Sequence, residues 1–555
     1  MPEVSIRHPQ TSPAQAVAGR SSRSFVAATW VLLVFGTLVR VRQYAARTSF
    51  WRDEAFVVLN VRHLSIWQLA GRLKWDQAAP PLFLWALRGM RHVAGESELS
   101  LRLVALVCAV AGLIVFADLA RRLLPAEAAF FAIGLLVLGR RLIEFSAEVK
   151  QYSGDVLVSA LIVWAAIFRA GDSPARRLAR VAIVAAIAVW FSHTAAIVFA
   201  GVGLVLTVRC LREGRRAALS AVLCDVLFLA SFATLYIVSI RKQHTSFLYD
   251  YWATSFPPWH RPAGVPLWLA GKSFQFLQTP YRWAGGLFAL LLVLSVAWAA
   301  WHKRWESWAV CAAPLGMLLA AALVKQYPFD GGGRLTLFLM PQLFLLCGAG
   351  AAFLLDVLPT GMRPLWWALP AALLGTGIAG GLSRLARPIY HSHIRPAVEY
   401  VKTHRRPGEA IVLVGEPFDG QPLESAFNGR HLEALCYWPD PPGPLYVELS
   451  SVRDITQKRF WVLAAFGPGD LKRFDPVLER FRAIAVERDR SIVAQGGGAF
   501  LFERTQASCG TGFQPVVTVF RVENATVQRF SQSDIARTGW KPVPQEPRPT
   551  ALAHQ

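Results

Sequence analysis

Long apolar runs constrain this chain more than any other feature of its sequence. We place eleven runs, at about 24–43, 99–119, 126–143, 153–169, 178–191, 194–209, 217–240, 282–301, 306–324, 334–356 and 365–383. A helix needs about 20 predominantly apolar residues to cross the hydrocarbon core of a bilayer. Only 17% of the residues are charged, whereas soluble domains average about 25%. The sequence therefore predicts an α-helical, polytopic membrane protein that is retained in the lipid bilayer.

The positive charges predict the orientation of these spans. The formal net charge is +22, which in a soluble protein would indicate nucleic acid as a partner. Here the basic clusters lie near the ends of the apolar runs, at 20–23, 121–122, 169–180, 209–216 and 302–304. If every run crosses once, all five clusters fall on one side, and Lys and Arg in short loops mark the cytoplasmic side. We therefore predict a cytoplasmic N-terminal tail (1–23) and no nucleic-acid partner.

The opposite, outer side then receives the longer polar segments. These are the first outer loop 44–98, the segment 241–281, the short loop 325–333 and everything after 384. The run 178–191 is short, so the span count around 178–209 stays open. A single crossing there would invert every later loop.

The segment 384–505 differs in character from the apolar runs before it. "AIVLVG" (410–415), "RFWVLAAFG" (459–467) and "AFLFER" (499–504) have the pattern of short buried strands. Helices are predicted at "RPAVEYVKTHRRPGE" (395–409) and at 470–484, where Pro476 is a potential interruption. We predict a small extracytoplasmic α/β domain here, followed by a disordered tail at 506–555.

Cysteine and histidine spacing gives no metal site. The seven cysteines are scattered and form no CxxC pair, so neither a disulfide framework nor a cysteine zinc site is expected. His193 has the position of a structural residue, and His391 with His393 lacks further ligands in sequence. We predict no cofactor and assign no metal, although the sequence does not exclude a divalent metal.

The most informative polar motif is "FWRDEAF" (50–56), in the first outer loop. Asp53 and Glu54 are adjacent carboxylates among aromatic residues, a setting typical of the membrane interface. Limited water and a like-charged neighbour both raise the pKa of a carboxyl group, toward the value that suits a general base. A solvated turn is the alternative interpretation. The next segment, "DQAAPPLFLWALR" (76–88), resembles a helix that lies along the membrane surface.

A second cluster, "EFSAEVKQYSGDVL" (144–157), is predicted at the same outer surface. Helical spacing would place Glu148, Tyr152 and Asp155 on one face. Lys150 suits a phosphate contact, with Tyr152 as a hydrogen-bond donor to the same group. The alternative for Lys150 is an ordinary lysine that extends toward the membrane surface.

A third cluster, "KQYPFDGGGRLTLFLMP" (325–341), places Arg334 at the start of a late span, after three glycines. A flexible glycine turn beside an arginine suits a phosphate clamp. The alternative is a short loop with an interfacial arginine. Because carboxylates and cations converge on one membrane face, we predict a substrate with a lipid tail, a phosphate and a reactive group outside the bilayer.

The motifs "RDEAF", "APPLFLWAL", "ESELSLRLVALVCAV" and "SAEVKQYS", in this order, resemble the GT-C membrane glycosyltransferases. That group includes the protein O-mannosyltransferases and the lipid A aminoarabinose transferases. The resemblance is strongest over 45–160 and extends to about 350. It implies a GT-C-like fold in a bacterial inner membrane, a polyprenyl-phosphate sugar as donor and an active site on the extracytoplasmic face. The acceptor would be an envelope glycan, lipid or protein.

The resemblance also implies roles for individual residues. By position, Asp53 carries the role of the base and Glu54 is its neighbour, which shapes the site or binds. Lys150 would contact the donor phosphate, and Arg334 matches the basic residue at the start of a late span. Two other functional classes remain open: a lipid-linked sugar flippase or other transporter, and a non-catalytic membrane scaffold. Transporters usually bind at the bilayer midplane between internal repeats, and this sequence shows no repeated half.

Overall fold

A computed structural model describes residues 13–169, 171–330, 333–414, 431–438, 445–446, 455, 457–469, 471–504, 519–523 and 526–530. The chain divides into two compact units. The first unit is formed by residues up to 48 and by 53–389, and the second by 49–52 and the residues from 390 onward.

The first unit is built from helices. In chain order they are α1 (Pro13–Ala45), α2 (Arg52–His63), α3 (Pro81–Ala94), α4 (Glu98–Leu123), α5 (Ala126–Leu138), α6 (Arg140–Glu144), α7 (Tyr152–Ile167), α8 (Pro174–Ala188), α9 (Ala195–Glu213), α10 (Arg215–Leu235), α11 (Arg241–Gln243), α12 (Ser246–Tyr251), α13 (Val265–Gln278), α14 (Gly285–Trp301), α15 (Trp305–Leu323), α16 (Met340–Val357) and α17 (Arg363–Ala386). A π-helical turn, Tyr236–Ile240, joins α10 to α11, and a 3₁₀ turn, Arg334–Leu339, leads into α16.

A helix occurs at each of the eleven predicted apolar runs. By length and composition, six of the described helical segments are able to cross a membrane, and three further apolar helices are shorter. The predicted fold class is therefore confirmed: this is a helical, integral membrane protein followed by a small sheet-containing region. The number of crossings stays a prediction.

The predicted span 126–143 is not one continuous helix. Helix α5 ends at Leu138, and the short helix α6 begins after Gly139. The last carbonyl groups of a helix lack partners within that helix. Arg40, which is fully buried in α1, donates to the carbonyl oxygens of Val137 at 2.9 Å and Leu136 at 3.3 Å. The end of α5 is thus capped by a side chain from another helix.

Small residues let some of these helices approach closely. A methyl group on Gly201 of α9 would lie 2.5 Å from the backbone nitrogen of Pro314 in α15. Such backbone-to-backbone contact requires glycine and is typical of helix packing inside membranes. Helix α16 is buried along most of its length, so it forms the centre of the bundle, and the 3₁₀ turn that carries Arg334 begins beside that centre.

The second unit contains a seven-stranded sheet and short helices. In chain order its elements are α18 (Arg395–His404), β1 (Ala410–Val414), α19 (His431–Leu435), β2 (Leu445–Tyr446), β3 (Arg459–Ala464), α20 (Leu471–Arg482), β4 (Ala485–Val493), β5 (Gly497–Arg504), β6 (Val519–Glu523) and β7 (Thr526–Phe530). The strand order is β4-β5-β3-β1-β2-β6-β7. Strand β1 is parallel to β2 and β3, and the other neighbouring pairs are antiparallel.

Strands β1, β3 and β5 and helices α18 and α20 lie where the sequence predicted them. Helix α20 continues through Pro476, because Phe474, Val477 and Phe481 are buried in the core of the sheet and hold the helix together. Strand β4 was missed: four of its nine residues are charged and every second one is more exposed, as suits the edge of a sheet.

Strands β6 and β7 lie within 506–555, where a disordered tail was predicted. The rest of that tail lies outside the described residues. Four of the ten residues in these two paired segments are β-branched, and such residues favour strands.

Candidate active site

The acidic pair Asp53 and Glu54 lies in the first turn of helix α2. Asp53 is 5% exposed and Glu54 is fully buried. Unpaired N–H groups and the helix dipole stabilise negative charge at this end of a helix. The two side chains contact different partners, so the two carboxylates have different chemical surroundings.

Glu54 is held firmly by Arg102 of helix α4. Nε of Arg102 donates to Oε1 of Glu54 at 2.8 Å, and Nη2 donates to Oε2 at 2.6 Å. The backbone N–H of Val149 also donates to Oε1, at 2.8 Å. The remaining nitrogen of Arg102, Nη1, donates to the carbonyl oxygen of Thr48 at 2.7 Å and to its hydroxyl at 2.9 Å. With these contacts Glu54 connects three chain segments and has little freedom to move.

Asp53 pairs with Arg334. The guanidinium Nη1 donates to Oδ2 of Asp53, although the two residues are 281 positions apart in sequence. The guanidinium of Arg334 also lies over the ring of Trp252, 5.9 Å from its centroid, a cation–π arrangement. The structure thus brings two of the predicted site residues, the carboxylate and the arginine, into direct contact.

Tyr327 positions the turn that carries Arg334. Its hydroxyl donates to the carbonyl oxygen of Leu335 at 3.0 Å. Burial raises the pKa of Tyr327 well above its ordinary value, and the negative charges of Asp155 and Asp330 raise it further. The hydroxyl therefore stays protonated at neutral pH and remains a hydrogen-bond donor.

Lys150 is buried and does not extend into solvent. Its Nζ donates to Oε1 of Gln77, in the first outer loop, at 3.2 Å. Because the preceding residue, Val149, is bonded to Glu54, the segment 149–150 lies beside the acidic pair. A buried lysine in this position is able to receive an anion that enters the same region.

The outer loop beside Lys150 is fixed from two sides. The side-chain oxygen of Asn60 accepts from the N–H of Lys74 at 2.9 Å. Gln243 binds both backbone groups of Ala79: it accepts from the N–H at 3.0 Å and donates to the carbonyl at 3.2 Å. Between these anchors Trp75 and Asp76 have φ values of 57° and 49°. Left-handed backbone at non-glycine residues is often concentrated at functional sites.

The predicted common face of Glu148, Tyr152 and Asp155 is wrong for Glu148. Helix α7 begins only at Tyr152, and Glu148 is extended, with φ −125° and ψ 145°. Tyr152 is buried, and its ring packs edge-on against Phe145 at 4.8 Å. Phosphate binding by Tyr152 and Glu148 stays a prediction.

Several residues of this site were not predicted as such. Arg102 had a visible signal, because an arginine inside an apolar span normally has a buried partner. Gln77, Trp252 and Tyr327 carry no comparable signal, since polar and aromatic residues are common in outer loops. Gly331 and Gly332, part of the predicted glycine turn, lie outside the described residues. The expectation of no cofactor and no metal stays a prediction.

Comparison with known proteins supports the resemblance stated from the motifs. Residues 78–239 match the family model described as dolichyl-phosphate-mannose-protein mannosyltransferase. This match covers less than a third of the chain and overlaps the segment in which the motifs were found. The predicted resemblance to the GT-C glycosyltransferases is thereby confirmed. No curated protein matches the chain.

Solved structures show more distant likeness. ArnT from Cupriavidus metallidurans in the apo state is 13% identical, with a TM-score of 0.46, and the match covers 88% of this chain and all of that one. The structure of ArnT bound to undecaprenyl phosphate is 14% identical, with a TM-score of 0.37, over 90% of this chain and all of that one. The apo oligosaccharyltransferase from Archaeoglobus fulgidus is 10% identical, with a TM-score of 0.45, over 86% of this chain and 75% of that one. Likeness at this distance carries no argument about the site.

Proposed function

We propose that this chain is a membrane glycosyltransferase that moves a sugar from a polyprenyl-phosphate donor to an acceptor on the outer face of a bacterial inner membrane. The family match supports the class of reaction. The acceptor is a hydroxyl or amine of an envelope glycan, lipid or protein.

The observation that carries the proposal is the contact between Asp53 and Arg334. A buried carboxylate and a half-buried guanidinium in direct contact provide the two functions that sugar transfer from a phosphate needs. The carboxylate removes a proton from the nucleophile, and the cation stabilises the departing phosphate. Lys150 adds a second cation on the segment bonded to Glu54.

In the proposed step, Asp53 accepts the proton of the acceptor hydroxyl as its oxygen attacks the anomeric carbon of the sugar. The bond between that carbon and the phosphate oxygen breaks, and its electron pair stays on the phosphate. Arg334 and Lys150 stabilise the resulting polyprenyl phosphate. Glu54 positions Asp53 through its contacts with Arg102 and takes no proton.

The ion pair also gives the reaction an order. Without donor, Arg334 neutralises Asp53 and keeps the base from an acceptor. A donor phosphate competes for the same guanidinium, and its arrival releases the carboxylate. The donor therefore binds first, and the base acts only when a sugar is present to be transferred.

The proposal is tested by complementing a strain that lacks the gene. Wild type, Asp53→Asn, Glu54→Gln and a control, Asp250→Asn, are expressed at equal levels, and envelope lipids and glycans are analysed by mass spectrometry. Asp250 is exposed on α12. We expect Asp53→Asn to behave as the deletion, with accumulated polyprenyl-phosphate sugar and a missing glycosylated product, and Asp250→Asn to behave as wild type. Full restoration of the product by both Asp53→Asn and Glu54→Gln would refute the proposal and leave a transporter or a scaffold.

A further inference from the structure

The segment just before the proposed base belongs to the second unit. Residues 49–52 belong to that unit, whereas the chain from Asp53 onward belongs to the first. Backbone N–H groups in this segment are bound by side chains that lie more than 300 positions further along the chain. The covalent neighbour of the proposed base is therefore held by a part of the chain outside the membrane helices.

Two of these contacts are well suited to hold the backbone. The hydroxyl oxygen of Tyr437 accepts from the N–H of Phe50 at 2.7 Å, and the rings of the two residues lie 6.0 Å apart. The carboxylate Oε1 of Glu433 accepts from the N–H of Arg52 at 2.9 Å. We call Glu433 and Tyr437 the backbone clamp.

Glu433 acts as a helix cap supplied from a distance. Arg52 is the first residue of α2, and the first N–H groups of a helix have no partner within the helix. Within a chain this need is usually met by a neighbouring Ser, Thr, Asp or Asn. Here Glu433, which is fully buried, meets it from 381 positions away, and its other carboxylate oxygen accepts from the hydroxyl of Ser392.

Asp53 thus lies between two fixed neighbours. On one side the N–H of Arg52 is bound by Glu433. On the other side the carboxylate of Glu54 is bound by Arg102. Together these contacts fix the first turn of α2. The ion pair between Asp53 and Arg334 is the contact that a substrate phosphate would replace.

We infer that Glu433 and Tyr437 are positioning residues, which hold the backbone directly before Asp53 in the geometry that proton transfer needs. This inference rests on the proposed function. A base that is misplaced by a fraction of an ångström loses rate while the donor still binds. The clamp residues are then required for turnover.

The test uses the purified full-length chain in lipid nanodiscs with synthetic polyprenyl-phosphate sugars. Glu433→Ala removes the acceptor, and Glu433→Gln restores an oxygen in the same place. Tyr437→Phe removes only the hydroxyl and keeps the ring. Glu479→Ala is the control, because Glu479 is 66% exposed on α20 and pairs only with a nearby arginine in the described contacts.

We expect Glu433→Ala to lower kcat about tenfold, the equivalent of one lost helix cap, with an unchanged dissociation constant for undecaprenyl phosphate. Tyr437→Phe should lower kcat about threefold. Glu433→Gln should recover most of the loss, and Glu479→Ala should equal wild type. Wild-type kcat in both Glu433→Ala and Tyr437→Phe would overturn the inference, as would equal losses of kcat and of donor binding.

Hydrogen exchange of the amides of residues 50–56 tests the clamp independently of turnover. Glu433→Ala should raise exchange at Arg52 and in the first turn of α2, and unchanged exchange would overturn the inference. The two proposals fail in different ways. Full activity of both Asp53→Asn and Glu54→Gln removes the proposed function, whereas an inactive Asp53→Asn beside a fully active Glu433→Ala removes only the clamp.

Discussion

Arg102 holds Glu54 through two parallel hydrogen bonds, at 2.8 and 2.6 Å, and both side chains are buried from solvent. A bidentate pair of this kind fixes direction as well as distance. Because Glu54 follows Asp53 directly, the pair determines how the first turn of α2 is oriented. Adjacent carboxylates thereby acquire different partners: Glu54 is held by Arg102, and Asp53 pairs with Arg334.

Breaking this pair should destabilise the protein. Arg102→Met leaves an uncompensated carboxylate and Glu54→Leu an uncompensated guanidinium, and each change should cost about 3–5 kcal/mol of unfolding free energy. The double variant Glu54→Leu/Arg102→Met should lose less than either single one, because no unpaired charge remains. Denaturant unfolding in mild detergent measures all three. The control is Glu399→Gln, because Glu399 is 64% exposed and forms an ion pair with Arg395 at the surface. This change should alter the free energy of unfolding by less than about 1 kcal/mol. Additive effects of the two single changes would contradict the coupling.

Removal of the base should separate turnover from binding. Asp53→Asn keeps the size of the side chain and removes its basicity, so turnover should fall by about 10²–10⁴-fold with donor affinity nearly retained. Glu54→Gln should do less damage to the chemical step in the fraction of protein that folds. Turnover and undecaprenyl phosphate binding are measured on both variants after correct insertion has been checked. An inactive Glu54→Gln beside an active Asp53→Asn would move the role of the base to Glu54.

The two cations should affect use of the donor. On the proposed function, Lys150→Ala and Arg334→Ala each remove a charge-assisted hydrogen bond to the donor phosphate, worth about 1.5–3 kcal/mol or roughly ten- to hundredfold in affinity. Lys150→Arg should keep part of the activity. The exposed Lys303→Ala is the matched control. Steady-state kinetics with a polyprenyl-phosphate sugar decides: a wild-type KM and kcat in both alanine variants would show that neither residue contacts the donor.

His63 should make stability depend on pH. Burial, together with the nearby positive charges of Arg62 and Lys74, lowers its pKa to about 4. The unfolded chain has a histidine pKa of about 6.5. Between these values the unfolded state binds more protons, so stability falls as the pH drops from about 6.5 to 4 and is fully present above that range.

The matched variant is His63→Gln. It should show a smaller loss of melting temperature than wild type between pH 7.5 and pH 5, and the exposed His92→Gln should keep the wild-type loss. The same pH dependence in His63→Gln and wild type would show that His63 does not titrate differently on folding.

The orientation of the chain is testable by cysteine labelling. The alternating arginine clusters predict that 169–180 is cytoplasmic and that the second unit is outside. A membrane-impermeant maleimide applied to intact cells should label Glu399→Cys and miss Ser173→Cys, each compared with the parent chain. Labelling of residue 173 alone would invert the topology and move the proposed site to the cytoplasmic face.

The sequence by itself determined where the helices lie, because each apolar run must satisfy its backbone internally wherever water is absent. It also supplied the chemical candidates Asp53, Lys150 and Arg334, since ionisable residues beside apolar runs are rare and conspicuous. The central strands β1, β3 and β5 were predictable for a similar reason: they are buried in a sheet, and their residues form uninterrupted apolar runs.

Other features depended on contacts that no local pattern records. The break after Leu138 lies inside an apolar run and is stable because Arg40, in another helix, caps the freed carbonyls. Glu148 lies four positions before Tyr152, the spacing of one helix face, but its backbone is extended. Residue spacing predicts a common face only where one helix includes both residues.

Only the tertiary structure decided which carboxylate faces which cation. Asp53 and Glu54 are adjacent and chemically similar, yet one meets Arg334 and the other Arg102. Adjacent side chains on a helix point in directions about 100° apart, so they reach different neighbours, and those neighbours come from segments distant in sequence. The identity of a residue shows what chemistry it is able to perform, whereas the partner that folding places against it determines which chemistry remains available.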